Sequence, residues 1–192
     1  MTMDSNKVIE TERLTVTISP AKLEDHVRIL DIGGGGEGVI SKIYKHKVVA
    51  IDQRYDELSE ILDTESLKLV MDATKLDFIQ EQFERATAFY SYMYMSEAEV
   101  KSSISEVYRV LKDKGLFEIW DVEMPSSHNQ EKEIFIAQLE IKYDEESITT
   151  GYGVRLKEQK MSLFSDLLVE GGFTIVKAEL NDNHTFYIEA RK

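Results

Sequence analysis

The sequence predicts a single α/β domain built on an open, doubly wound sheet, and three observations carry that prediction. Residues 27–52, VRILDIGGGGEGVISKIYKHKVVAID, read as buried strand, glycine loop, short amphipathic helix and second strand. Three successive apolar runs close on an acid, at Asp31, Asp52 and Asp72. The chain ends in two β-prone runs, Phe173 to Leu180 and Thr185 to Ala190, joined by a turn at Asn181-Asp182-Asn183, the pattern of an antiparallel hairpin. With 192 residues and 42% hydrophobic content there is material for one full core and not for two.

Charge and composition narrow the function classes. A formal net charge of −13 with no visible basic patch counts against nucleic acid as a partner, although acidity is also a common solubility device. Without cysteine there is neither a disulfide nor a thiolate zinc site. His26, His46, His128 and His184 are scattered, with no acid at metal-ligand helical spacing, so no metal is expected. No basic, apolar leader opens the chain and no apolar run is long enough to span a bilayer, which sets the expectation of a cytoplasmic protein with no membrane contact.

Taken in order, residues 1–26 form an N-terminal accessory segment. Its polar start is followed by alternation over Arg13 to Ser19, with Leu14, Val16 and Ile18 on one face, and Pro20 ends that strand. After the glycine loop and second strand, Arg54 to Leu62 is helical by the spacing of Leu58, Ile61 and Leu62, and Leu67 to Met71 is the third strand. Thr74 to Gln82 is expected to be a helix with Asp72 as its N-cap and Leu76, Ile79 and Phe83 on one face. Ala86 to Tyr94 is a fourth, aromatic strand. Glu97 to Leu111 carries Val100, Ile104, Val107 and Leu111 at helical spacing, and the basic residues before Gly115 suit a helix C-terminus. In the 124–157 insertion, Ile134 to Tyr143 and Ile148 to Leu156 read as a hairpin that can cap the sheet edge, pair with the Leu14 to Ile18 strand or make a homodimer contact. Gln159 to Glu170 is again helical and is stopped by Gly171-Gly172.

In a doubly wound sheet the strand tips lie side by side, so Asp31, Asp52 and Asp72 converge on one crevice beside the glycines. Glycines permit a sharp strand-to-helix turn and close approach of a ligand to backbone, and an acid one crossover away can accept hydrogen bonds from a ribose. A nucleoside-containing cofactor is therefore the first expectation. Gly33-x-Gly35-x-x-Gly38 with Asp52 roughly twenty residues on also satisfies the dinucleotide fingerprint, so a nicotinamide-dependent oxidoreductase stays open at this point.

The segment ILDIGGGG resembles motif I of the class I S-adenosylmethionine-dependent methyltransferases, and EVYRVLKDKG followed by LFEIWDVE resembles that family's fourth helix and fifth strand. The resemblance covers about Val27 to Glu123 and Glu158 to Lys192. It implies a Rossmann-like methyltransferase fold, with a mixed seven-stranded sheet in the order 3-2-1-4-5-7-6, only strand 7 antiparallel, and accessory strands. It also implies S-adenosyl-L-methionine as cofactor, with Gly33 and Gly35 at the methionine end, Asp52 on the ribose hydroxyls and Asp72-Ala73 at adenine, and with Asp31, Gly38, Gln53 and Tyr90 as further cofactor-binding candidates. Two departures stand out. The family usually has glycine two residues after Gly35, where this chain has Glu37 and then Gly38, a loop longer by one residue. The Asn/Asp-Pro-Pro-aromatic signature of enzymes acting on base or glutamine amino nitrogens is also missing at Tyr90-Ser91-Tyr92.

Methyl transfer mainly asks a protein to hold donor and acceptor in line, and a base is needed only for an acceptor that must lose a proton. Tyr90, Tyr92, Asp121, Glu123 and His128 are the candidates for catalysis, although an aromatic residue on a buried strand is as readily core and an acid at a strand end as readily a cap. The acceptor is expected to be a small molecule, enclosed by Glu123 to Arg155 with Tyr143 and Tyr152 as walls. A cofactor-binding or interaction module without catalysis is the remaining alternative.

Overall fold

A computed structural model describes residues 5–61, 65–126 and 131–192. The larger of two sheets contains β3 (Ile29–Ile32), β4 (Val48–Asp52), β5 (Leu67–Val70), β6 (Phe83–Phe89), β7 (Leu111–Val122), β10 (Thr174–Leu180) and β11 (Thr185–Arg191). Its spatial order is β10-β11-β7-β6-β3-β4-β5. β11 runs antiparallel to both β7 and β10, and every other pairing is parallel. Counted along the chain this is the expected 3-2-1-4-5-7-6 with only the seventh strand reversed.

One face of this sheet packs Leu30, Ile32, Ala86, Ala88, Phe117, Ile119 and Ile188 against α3 (Glu97–Val110) and α4 (Met161–Glu170). α3 begins where Ser96 and Glu99 form a reciprocal capping box, and it buries Val100, Ile104 and Val107 in the stripe its sequence predicts. The opposite face carries α1 (Val39–Tyr44), α2 (Tyr55–Glu60) and the smaller sheet. There β8 (Ile134–Tyr143) pairs antiparallel with β9 (Glu146–Arg155), while its other edge takes β1 (Val8–Glu10) and β2 (Leu14–Ile18) one after the other, both parallel. Strict alternation makes this possible: Phe135, Ala137, Leu139 and Ile141 from β8 and Leu14, Val16 and Ile18 from β2 all point into the core shared with Ile29, Val48 and Val122. Of the three roles open to the hairpin, pairing with the Leu14 to Ile18 strand is therefore realised.

Several expected boundaries shift. The helix expected over Thr74 to Gln82 does not form. Its backbone is bonded outward instead: the Arg109 guanidinium donates to the carbonyls of Leu76 and Phe78, and the Glu106 carboxylate accepts from the Leu76 amide. Asp72 still caps, but it caps a turn, taking the Thr74 amide and hydroxyl. The fourth strand starts earlier and stops at Phe89, after which Tyr92–Tyr94 is a 3-10 turn. α2 is the six-residue Tyr55–Glu60, shorter than expected. Lys112 to Gly115 belongs to β7 and not to the end of α3, because Leu111 pairs with Phe83 and the register shift before Leu116 absorbs the extra residues.

Candidate functional site

The carboxyl ends of β3, β4 and β6 open into a cavity of about 520 Å³, a size suited to a small organic ligand. Its floor is the glycine loop, pinned from below by the Gly34 amide donating to the Ile51 carbonyl and the Gly36 amide to the Glu57 carbonyl, each at 2.9 Å. The reason for glycine here is close packing of the chain on itself. A Cβ at Gly33 would collide with Ser91 on a backbone already at φ +64°, and one at Gly38 would sit 2.5 Å from Ile61 at φ +57°.

Asp31 lies beneath this loop at 2% exposure and accepts a hydrogen bond of 2.7 Å from the Thr87 hydroxyl. Burial pushes its carboxyl up from 3.8 to about 7, with a further upward push from the nearby charge of Asp52. Asp52 commits one oxygen to the Arg54 amide at the start of α2, and its other oxygen faces Gly35. Gln53 lines the cavity and ties strand ends together by donating to the Asp72 carboxylate at 3.1 Å.

Asp31, Gly33, Gly35, Gly38, Asp52, Gln53, Ala73 and Tyr90 all line the cavity. Asp72 does not: its side chain is turned into the cap of Thr74 and the bond with Gln53, so only its neighbour Ala73 reaches the ligand space. Tyr92, Asp121 and Glu123 also lie outside the lining. The Tyr92 hydroxyl is paired with that of Ser103 inside the core. Asp121, fully buried, accepts from the amides of Met93 and Val122 and from the Gln159 side chain, and its carboxyl is raised to about 7 chiefly by burial. Glu123 accepts from the Met161 amide at the start of α4. His128 lies outside the described residues.

Tyr90 is different. Its backbone sits at φ +50°, in the left-handed region that bulky residues avoid, and its hydroxyl is buried with no hydrogen-bond partner among the described residues. Burial, with the Asp121 charge adding to it, raises its pKa well above 10, so the hydroxyl stays protonated. Above it lies Tyr152 of β9, ring centroids 5.6 Å apart.

The residue that sequence reasoning passed over as a departure is Glu37. Its carboxylate accepts hydrogen bonds from the hydroxyls of Thr150 and, at 2.8 Å, Tyr152, so the lengthened glycine loop is tied directly to the hairpin. Tyr152 and Gly153 thereby enter the cavity wall, as expected of Tyr152, whereas Tyr143 turns to Glu146 at the hairpin end and is not part of the wall. Only the oddity of Glu37 between glycines signalled this contact in the sequence.

A family model described as a methyltransferase domain matches residues 30–119, which span β3 to β7. That match covers a little under half of the chain and identifies those residues as similar to a methyltransferase domain. Among solved structures, a protein of Pyrococcus horikoshii OT3 superimposes with a TM-score of 0.66 at 17% identity, over 87% of this chain and 83% of that one. An S-adenosylmethionine-dependent methyltransferase from Methanosarcina mazei gives 0.58 at 21%, over 88% and 94%. The [4+2]-cyclase SpnF gives 0.60 at 18%, over 88% and 76%. At these identities the likeness is one of fold. No curated protein matches the chain by sequence.

The cavity fits S-adenosyl-L-methionine, the cofactor that the sequence resemblance implies, on charge. Five carboxylates line the space, from Asp31, Glu37, Asp52, Glu57 and Glu99, against one guanidinium, Arg54, which is itself paired with Asp56 and Glu57. Such a lining attracts a sulfonium and an ammonium, and it repels the pyrophosphate of a dinucleotide. This charge pattern and the antiparallel β11 count against the nicotinamide alternative. No helix among the described residues is long and apolar enough to cross a membrane, and no group of three or more potential metal-ligating residues is found among them.

Proposed function

We propose that this methyltransferase acts on a small-molecule acceptor, held beside Tyr90 under the hairpin, and that the chain works as one domain in which residues 1–26 and 124–157 form the acceptor side. The observation that carries this reading is the tie from Glu37 to Thr150 and Tyr152, which holds the hairpin against the cavity that Tyr152 and Gly153 line. A wall at this position suits a compact acceptor better than a folded macromolecular surface.

The cofactor supplies an electrophilic methyl group on a sulfonium. For its binding we assign the free oxygen of Asp52 and the Gln53 amide to the ribose hydroxyls, Ala73 and its backbone to adenine, and Asp31 with Gly33, Gly35 and Gly38 to the methionine end, while Asp72 acts indirectly by holding Gln53. Tyr90 keeps its proton and so donates a hydrogen bond to the acceptor, fixing its angle of approach, instead of removing a proton from it. Asp121 is consumed by three donors and Tyr92 by Ser103, so positioning and exclusion of water carry the reaction. Calorimetry with S-adenosylhomocysteine and with NAD, followed by time-dependent release of S-adenosylhomocysteine on adding metabolite fractions, tests the reading. Binding of NAD alone overturns it, and tight cofactor binding with no turnover in any fraction points to the non-catalytic alternative.

A further inference from the structure

The end of the cavity nearest Ala73 has apolar walls. Ile51 comes from β4, Met71 and Ala73 follow β5, and Met95 precedes α3, and all four pack with the core on the α3 side of the large sheet. Tyr90 and Tyr152 belong to the other core, on the hairpin side. Asp72, the acid that the sequence sets beside Ala73, is absent from this lining, because its Oδ1 is turned to the Gln53 amide and to the amide and hydroxyl of Thr74. The one residue of α3 in the lining is Glu99.

Glu99 is half of the capping box, but only half of its carboxylate is used there. Oε2 accepts from the amide and the hydroxyl of Ser96, each at 2.7 Å, while Oε1 has no hydrogen-bond partner among the described residues. Lys157 faces the same turn, yet it donates to the carbonyls of Tyr92 and Met95 and forms no ion pair with Glu99. The bonds from Ser96 hold the Glu99 carboxyl below its ordinary range, so it is ionised at neutral pH and can only accept. The same carboxylate feels the charge of Asp72, which puts the two acids at one end of the cavity. An apolar recess with a carboxylate oxygen free at its edge selects a flat ring bearing a hydrogen-bond donor, and adenine has one in its exocyclic amine.

We propose that Glu99 reads the adenine of the cofactor, Oε1 accepting from the exocyclic amine, in the role that the resemblance gives to Asp72. The assignment rests on the S-adenosyl-L-methionine reading of the cavity. It is tested by calorimetry on the full chain with two ligands, S-adenosylhomocysteine and its analogue with hydrogen in place of the 6-amino group. The unaltered protein should bind the amino ligand at least fivefold more tightly. In Glu99→Gln the cap decides which way the new side chain turns. The Ser96 amide can only donate, so the glutamine carbonyl stays with it and the NH2 faces the recess, where a second donor cannot serve the amine. The two ligands should then bind within twofold of each other, with the melting temperature of the unliganded protein kept. Asp72→Asn, which loosens Gln53 and the Thr74 turn, should weaken both ligands alike and keep the fivefold preference. Should Glu99→Gln fail to fold, Glu99→Asp, which caps with a carboxylate withdrawn by one methylene, should lose the preference in the same way. The inference is overturned, and the cofactor reading left standing, if the unaltered protein does not distinguish the ligands, if the Glu99 variant keeps the full preference, or if Asp72→Asn abolishes it. Failure of the unaltered protein to bind either ligand overturns both.

Discussion

The two sheets of this molecule bury their strands by different rules. In the large sheet β3 is covered on both faces, so ILDI is buried at every position and reads as a continuous apolar run interrupted only by Asp31. In the small sheet β2 and β8 are covered on one face and alternate strictly. The first pattern belongs to a parallel βαβ unit, whose partners are fixed by right-handed crossovers of short sequence range. The second says only that one side is buried. That β8 should take β1 and β2 in succession, across more than a hundred residues, is decided by tertiary packing. The cofactor half of the protein is thus built from local rules, and the acceptor half from long-range ones.

The sharpest way to break that contrast is at Gly33. A side chain there meets Ser91 on a backbone at φ +64°, in a loop that has already committed its neighbouring amides to β4 and α2. Gly33→Ala should therefore destabilise the fold by on the order of 2–3 kcal/mol, combining left-handed strain with the collision. Thermal unfolding checks the loss, and binding of S-adenosylhomocysteine should fail at the same time. An unchanged melting temperature would mean that the loop is looser than its bonding implies.

Asp52→Ala comes next. Loss of charge-assisted hydrogen bonds to ribose should weaken S-adenosylhomocysteine by about 1–3 kcal/mol, measured by calorimetry. Part of any fall in stability would come from the Arg54 amide, which loses its cap at the start of α2, so affinity and melting temperature must both be read. Equal affinity in the variant would remove Asp52 from the site.

What was legible follows the same division. The order of the large sheet, the glycine loop and the positions of Asp31, Asp52 and Ala73 could be read because each depends on residues close in sequence or on a repeated βα unit. Asp72 shows why an acid at a strand tip is ambiguous in sequence, since it serves a ligand and a turn equally well, and here Thr74 two residues on engages it in a turn. The missing helix at residues 74–82 failed for a related reason: apolar spacing at Leu76, Ile79 and Phe83 was genuine, but Arg109 and Glu106 of α3 take the backbone groups that a helix would need. Ile79 ends 73% exposed, an apolar residue whose periodicity meant nothing. A cleft between β2 and the strands β7, β10 and β11, with Tyr44 of α1 in its lining, left no local signature, since its walls come from distant parts of the chain.

A subtler distinction concerns pH. Asp31 has its carboxyl raised to about 7, so its protonated form favours folding most below pH 4, and this contribution is lost as pH rises toward 7. Binding of a cationic cofactor has the opposite sense, because it favours the ionised carboxylate. Affinity for S-adenosylmethionine should therefore rise by up to about tenfold between pH 6 and pH 8 and level off above, about 1.4 kcal/mol at most. Asp31→Asn should flatten that profile. A profile that keeps its slope in the variant would assign the titration to another group.

The smallest expected effect probes a direct tie between the glycine loop and the hairpin. Glu37 offers a charged acceptor to the hydroxyls of Thr150 and Tyr152, and Glu37→Gln keeps the shape of the side chain while removing the charge. A glutamine can still accept from one hydroxyl and donate to the other, which either hydroxyl can accept by rotating, so the net loss should be only about 1 kcal/mol. Because Glu37 sits on the glycine loop but its partners sit on β9, the location of the loss is more informative than its size. If the hairpin is held over the cavity by this tie, hydrogen exchange at the β9 amides of Thr150 to Gly153 should accelerate about fivefold, as that energy implies, while the amides of β3 and β4 keep their protection. Turnover should fall with the loosened wall, and S-adenosylhomocysteine should bind nearly as before. Faster exchange spreading into β3 would show instead that Glu37 supports the glycine loop itself, and that the two halves are one cooperative unit with no separable wall.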